Sequence, residues 1–254
     1  MNVTRLKAFQ DNYIWAIGDA RCVAVVDPGD AEPVLAELAA SQRRLVAILL
    51  THHHPDHAGG VARLLEACGN IPVFGPAIEN IPGVTHPLQA GAEIRVDELA
   101  AEFSVIDVGG HTKGHIAYYR PGMLFCGDAL FTFGCGRIFE GTPEHSWHSL
   151  NRLAALPPDT LVYCAHEYTA NNLRFALQAD PDNPALQARA RSLRPLLDAG
   201  EPTVPGTLGD ELATNPFLRW SAPELQAAAT QFRGSETRAP IEVFAALREW
   251  RNKF

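Results

Sequence analysis

Four side chains of metal-ligand type stand within six residues of one another, at His52, His54, Asp56 and His57 in the run Thr51-His52-His53-His54-Pro55-Asp56-His57. The chain has 254 residues and only 10 histidines, so composition does not produce this density. Imidazole nitrogen and carboxylate oxygen are the donors that Zn²⁺, Fe and Mn²⁺ accept. An irregular loop can turn two of these side chains to one ion and two to another, whereas a regular helix confines them to one face. The chemistry in prospect is that of a bound divalent ion, which can acidify water and stabilise a developing oxyanion.

Three further candidates stand at the ends of apolar runs. His111 follows 103–108 and two glycines, Asp128 ends Met123-Leu124-Phe125-Cys126-Gly127, and His166 ends 160–165. With the His-rich run behind residues 45–50, four separate strand ends each deliver a metal-ligand type. The rim of a rigid sheet is where sites are commonly built. His53, His86, His145 and His148 lack such placement and are read as surface or core residues. His115 is four residues after His111, but Gly114 argues against a helix there, so it is expected behind the ligands. Cys126 and Cys164 each precede a candidate by two, on the same strand face, and are read as packing residues near the site.

The elements that must position these residues are legible in outline. Residues 22–26 form a strand closed by Asp27-Pro28-Gly29. Asp30 caps a helix through Ala40, with Val34, Leu35 and Leu38 on one face. Residues 45–50 read as a buried strand and 60–67 as a helix, with further strands at 103–108, 123–126 and 160–164. After Tyr168 the segments 170–179, 184–198, 222–233 and 240–253 show helical spacing between proline and glycine breakers. The expectation is an α/β catalytic domain at 1–166 followed by a mostly helical domain at 167–254.

Composition narrows the function classes. Apolar residues at 46% and charged residues at 20% permit a full core. A net charge of −8 with no dense basic patch excludes a general nucleic-acid-binding role. Residues 1–12 carry no apolar stretch of signal-peptide type, and the longest aliphatic run, 45–50, is too short to cross a membrane. Five cysteines form no Cys-x-x-Cys pair, which fits reduced thiols and a cytoplasmic enzyme.

His-x-His-x-Asp-His followed by spaced His, Asp and His resembles the metallo-β-lactamase superfamily, whose fold is an αβ/βα sandwich. Narrower signatures resemble the glyoxalase II family, the hydroxyacylglutathione hydrolases. They are Gly-Gly-His111-Thr-Lys-Gly-His, Phe125-Cys-Gly-Asp128-Ala-Leu-Phe and Gly134-Cys-Gly-Arg137-Ile-Phe139-Glu-Gly-Thr. Cys164-Ala-His166-Glu-Tyr168-Thr, Thr214-Asn-Pro-Phe-Leu-Arg219 and Arg248-Glu-Trp-Arg251 continue them. The likeness runs essentially from end to end. It implies one metal on His52, His54 and His111, a second on Asp56, His57 and His166, and Asp128 bridging both. It also implies glutathione contacts from Arg248 and Arg251 on the helical domain, and from Arg137, Phe139 and Tyr168. The family often has Lys where this chain has Arg137, which keeps the charge. It often has Tyr where this chain has Phe139, which removes a hydroxyl donor.

The activity so implied is hydrolysis of S-(2-hydroxyacyl)glutathione thioesters, such as S-lactoylglutathione, to glutathione and a 2-hydroxy carboxylate. Two divalent ions bring four positive charges and Asp56 and Asp128 cancel two. A bridging hydroxide leaves roughly +1, which favours an anionic, carbonyl-bearing substrate. That hydroxide is the expected nucleophile, and Zn²⁺ the expected ion, with Fe and Mn²⁺ accepted by the same donors. Two other readings stay open: a lactone, β-lactam or phosphodiester hydrolase of the same fold, and a mononuclear iron persulfide dioxygenase. The expected partner is the small-molecule thioester, with no nucleic acid and no membrane, and the expected state a monomer.

Overall fold

Short β-branched and aromatic runs broken by Gly, Asp and Pro build two six-stranded sheets in this protein, whose computed structural model describes residues 1–254. The first holds β1 (Asn2–Ala8), β2 (Asn12–Gly18), β3 (Cys22–Val26), β4 (Arg44–Leu49), β5 (Val73–Pro76) and β6 (His86–Leu88), side by side in that order. β1 to β3 are antiparallel neighbours, whereas β3 to β6 run parallel. Parallel neighbours need crossovers. Two of them are helical, α1 (Glu32–Ser41) between β3 and β4, and α2 (Pro55–Ala58) with α3 (Val61–Cys68) between β4 and β5, whereas 77–85 links β5 to β6 without a helix.

The second sheet draws on β7 (Glu93–Val96), β8 (Ala101–Asp107), β9 (Ile116–Arg120), β10 (Met123–Gly127), β13 (Leu161–Cys164) and β14 (Gly206–Thr207). Its spatial order is β14-β13-β10-β9-β8-β7. β11 (Leu130–Phe131) and β12 (Gly134–Cys135) form a separate small hairpin. β10 and β13 are parallel, joined through α4 (Pro143–Ala154).

Strand periodicity sorts the core into layers. Trp15, Ile17, Ala24 and Val26 enter one apolar cluster with Phe103, Tyr118 and Phe125 of the second sheet. Their neighbours Ile14, Ala16, Val23 and Val25 enter another, with Val34 of α1 and Leu64 of α3. Alternate residues of one strand thus serve opposite faces. The result is the αβ/βα sandwich expected from the sequence.

Five helices follow: α5 (Thr169–Ala179), α6 (Pro184–Ala199), α7 (Leu208–Thr214), α8 (Pro223–Arg233) and α9 (Pro240–Lys253). Asn183 caps α6 by accepting from the amides of Ala185 and Leu186, and Gly200 closes it in the left-handed region. The helical part is knitted to the sheets. β14 pairs with β13, and the buried Glu211 carboxylate accepts from the Phe133 amide and from Arg189. Val243, Phe244, Ala246 and Leu247 of α9 enter the same core as the strands. No helix is long and apolar enough to cross a membrane.

Candidate metal centre

β4 delivers Thr51 and His52 beyond its last residue, and Pro55 then starts α2, with His54 at its N-cap. Proline suits the first helical position because no backbone donor is needed there. Asp56 and His57 therefore lie on a single helical turn, where the sequence alone read an irregular loop. The turn Asp27-Pro28-Gly29 presses on this segment so closely that a Cβ on Gly29 would lie 1.8 Å from the Asp56 carbonyl oxygen. His111 follows β8, Asp128 follows β10 and His166 follows β13. Gly136 passes so close to Asp128 that a Cβ there would lie 1.9 Å from its carbonyl oxygen.

The seven side chains converge in two groups. In the first, His54 Nδ1 lies 3.1 Å from His52 Nε2 and 3.0 Å from His111 Nε2. In the second, Asp56 Oδ2 lies 3.6 Å from His57 Nε2 and 3.5 Å from His166 Nε2. Asp128 spans both, with Oδ2 3.4 Å from His111 Nε2, and Oδ1 3.5 Å from His57 Nε2 and 3.3 Å from His166 Nε2.

Ligands 2.0–2.1 Å from a tetrahedral ion are separated by roughly 3.3–3.4 Å, close to these spacings. Imidazole lone pairs facing each other at 3.0 Å repel unless a proton or cation lies between them. His57 Nε2 and Asp128 Oδ1 are moreover buried without any hydrogen-bond partner. Both groups have the donors, spacing and burial that hold divalent metal ions.

The imidazoles are oriented from behind. Asp27 accepts from the Thr51 amide at 2.8 Å, the Thr51 hydroxyl at 2.7 Å and His57 Nδ1 at 3.0 Å. With its proton given to Asp27, the Thr51 hydroxyl accepts from His52 Nδ1 at 3.0 Å. His111 Nδ1 donates to the Arg137 carbonyl at 2.8 Å, and His166 Nδ1 to Asp11 at 2.8 Å. Asn12 donates to Asp56 Oδ2 at 3.1 Å. These bonds turn Nε2 of four histidines inward as acceptor. His115 stacks on His52 with centroids 4.5 Å apart, behind the ligands. Sequence reasoning missed Asp11, Asn12, Asp27 and Thr51 because nothing in their spacing separates them from turn residues.

Electrostatics divides the two groups. Burial holds His52, His54 and His111 below the ordinary imidazole range. Burial would also depress His57, but Asp128, Asp27 and Asp56 outweigh it and push it up to about 9. Burial would raise Asp128, yet His57, His166 and His111 hold it well below the usual carboxylate range. Burial pushes the Cys126 thiol up to about 12 and raises Cys164 as well. Both thiols donate to backbone carbonyls, those of Leu130 and His166, as packing residues do.

Residues 9–166 match the family description Metallo-beta-lactamase superfamily, and residues 167–254 match Hydroxyacylglutathione hydrolase C-terminus. The hydroxyacylglutathione hydrolase of Nitrosomonas eutropha is 50% identical over 254 residues, covering 100% of this chain and 99% of its own. That of Alkalilimnicola ehrlichii is 54% identical over 253 residues, 99% of this chain and 98% of its own. This chain belongs to the hydroxyacylglutathione hydrolase family. ETHE1 from Myxococcus xanthus superposes on this family member with a TM-score of 0.68, over 99% of this chain and 98% of its own. At 24% identity that likeness is one of fold.

The remaining sequence candidates of this hydroxyacylglutathione hydrolase family member surround the two groups. Tyr168 stacks on His166 at 4.6 Å, nearly parallel, and burial followed by Asp11 lifts its hydroxyl above the ordinary range. Phe139 is 59% exposed, with its ring against His54 at 5.8 Å and His111 at 5.2 Å. The Arg137 guanidinium lies 5.3 Å over that ring. Arg248 is buried in α9, donating from Nη1 to the Cys135 carbonyl at 2.8 Å and from Nη2 to Asn252 at 3.0 Å. Arg251 reaches only Asn172, at 3.4 Å. The Nε of both is buried and unpaired, and burial together with Arg248 lowers Arg251 from its ordinary value.

Proposed function

We propose that this protein hydrolyses S-(2-hydroxyacyl)glutathione thioesters, S-lactoylglutathione among them, to glutathione and a 2-hydroxy carboxylate, the second step of methylglyoxal detoxification. The observation that carries the reading is the division of the Asp128 carboxylate, one oxygen toward each group of ligands, in a chain half identical to hydroxyacylglutathione hydrolases. His52, His54 and His111 would hold one ion, Asp56, His57 and His166 the other, and Asp128 would be shared by both. Zinc is the simplest resident.

Two such ions supply a Lewis acid and a water acidified to near neutrality. Asp128 would connect the two positions, Oδ2 facing His111 and Oδ1 facing His166. Asp56 and Asp128 neutralise half of the cationic charge, and the remainder attracts an anionic thioester. Tyr168 keeps its proton and offers a neutral donor beside His166. The glutathione thiolate, with a parent pKa of about 8.5, leaves without a dedicated protein acid. Arg248 and Arg251, unpaired with any carboxylate, receive the carboxylate end of glutathione. Arg137, Phe139 and Tyr168 line the path between.

The division into a catalytic part at 1–166 and a substrate-binding part at 167–254 is supported by where the two family matches meet. Five unpaired cysteines support a cytoplasmic setting. We read the active unit as a monomer. A complete second ligand group argues against a mononuclear iron oxygenase. Purified, metal-loaded protein should release thiol from S-lactoylglutathione and lose that activity to a chelator. Inactivity in a fully metallated sample would overturn the reading.

A further inference from the structure

The groups that support the ligands from behind are not alike on the two sides. His57 Nδ1 donates to the carboxylate of Asp27 at 3.0 Å, and His166 Nδ1 to that of Asp11 at 2.8 Å. His52 Nδ1 instead meets the Thr51 hydroxyl at 3.0 Å, and His111 Nδ1 the Arg137 backbone carbonyl at 2.8 Å. Anionic acceptors therefore stand behind one pair of imidazoles and neutral acceptors behind the other. The inner donors follow the same division. The first group offers three imidazoles, whereas the second offers two imidazoles and the Asp56 carboxylate, with Asp128 common to both.

A carboxylate behind an imidazole increases its basicity as a ligand and adds negative charge close to the ion. We propose that the Asp56–His57–His166 position fills first and holds its ion the more tightly, that the His52–His54–His111 position is the exchangeable one, and that Asp11 is the residue that sets the difference. Asp27 cannot set it alone, because the same carboxylate also reaches His52 through the Thr51 hydroxyl. Asp11 bonds only to His166 through its side chain, from the β1–β2 turn. The inference rests on the two-ion reading of the site. It specifies the order of filling and the residue responsible.

The probe is Co²⁺ added to metal-free full-length protein at one equivalent per chain, with the ion located by anomalous scattering. Cobalt at Asp56, His57 and His166 is the expected result. Cobalt at His52, His54 and His111, or divided equally, would overturn it. Calorimetric titration with two equivalents should resolve a tighter and a weaker event. Asp11→Asn keeps the acceptor for His166 and removes the charge. It should weaken the tighter event by about 10- to 100-fold and leave the weaker within about twofold. Equal weakening of both events, or of neither, contradicts the role given to Asp11. Because location and affinity are read without thioester turnover, an inactive enzyme that fills in this order would sink the proposed reaction alone. A protein that binds no second ion would sink both.

Discussion

The backbone amide of Asp128 donates to Nε2 of His115 across 3.1 Å, so the carboxylate common to both ligand groups is aimed by a histidine outside them. The same ring stacks on His52 and is fully buried, which keeps it neutral and able to accept. Its work is positional.

His115→Leu keeps an apolar body but strands the Asp128 amide in the interior. Leaving such a donor unpaired costs about 1–3 kcal/mol. The variant should be less stable by about that amount, melt at a lower temperature and carry less metal than the parent. Thermal unfolding with elemental analysis checks both. An unchanged metal content would mean that Asp128 is held in place without His115.

Asp128→Ala should lose occupancy at both positions and nearly all turnover, because its two oxygens face different ligand groups. His166→Ala removes one ligand of one group and should retain about one ion per chain. Elemental analysis of the two variants side by side makes the comparison. Two ions bound to Asp128→Ala would contradict the bridging role.

Arg248 and Arg251 should separate in their effects. Arg251 is tied to the protein only by a 3.4 Å bond to Asn172, so Arg251→Ala should raise KM about tenfold or more with kcat nearly unchanged. Arg248 also anchors α9 on the Cys135 carbonyl, so Arg248→Ala should raise KM and lower the melting temperature together. Steady-state kinetics on the glutathione thioester, paired with melting curves, distinguishes them. An unchanged KM in both variants would remove the arginines from substrate binding.

The cysteines offer a test that is independent of turnover. Cys22, Cys126, Cys135 and Cys164 are buried and Cys68 is partly exposed. One thiol should react readily with an aromatic disulfide reagent in the native protein, and all five after denaturation. Fast reaction of Cys126 or Cys164 would mean that the region behind the metal centre opens in solution.

The run at 52–57 was legible as a candidate because four donors there need no tertiary information to stand out. His111, Asp128 and His166 were legible only as ends of apolar runs. The residues behind them were not. Asp27 sits in Asp27-Pro28-Gly29, where an aspartate already has a turn role, and Asp11 in the hairpin turn and Asn12 at the start of β2 join strands that the sequence pattern did not separate. Long elements with a clear period, such as α6 and α9, matched their expected spans within a residue or two. α4 escaped because its exposed face, with Glu144, His145 and His148, outweighs the apolar signal of Leu150 and Leu153. β11, β12 and β14 are two residues each, too short to show any period, although β14 ties the helical part to the second sheet.

Two ions sharing Asp128 should act on the glutathione thioester only as a pair. The most direct test is the initial rate of thiol release from S-lactoylglutathione as metal-free protein is titrated with Zn²⁺ from zero to two equivalents. The rate should start near zero and reach its plateau only at the second equivalent. A full rate at one equivalent, or none at two, would contradict it.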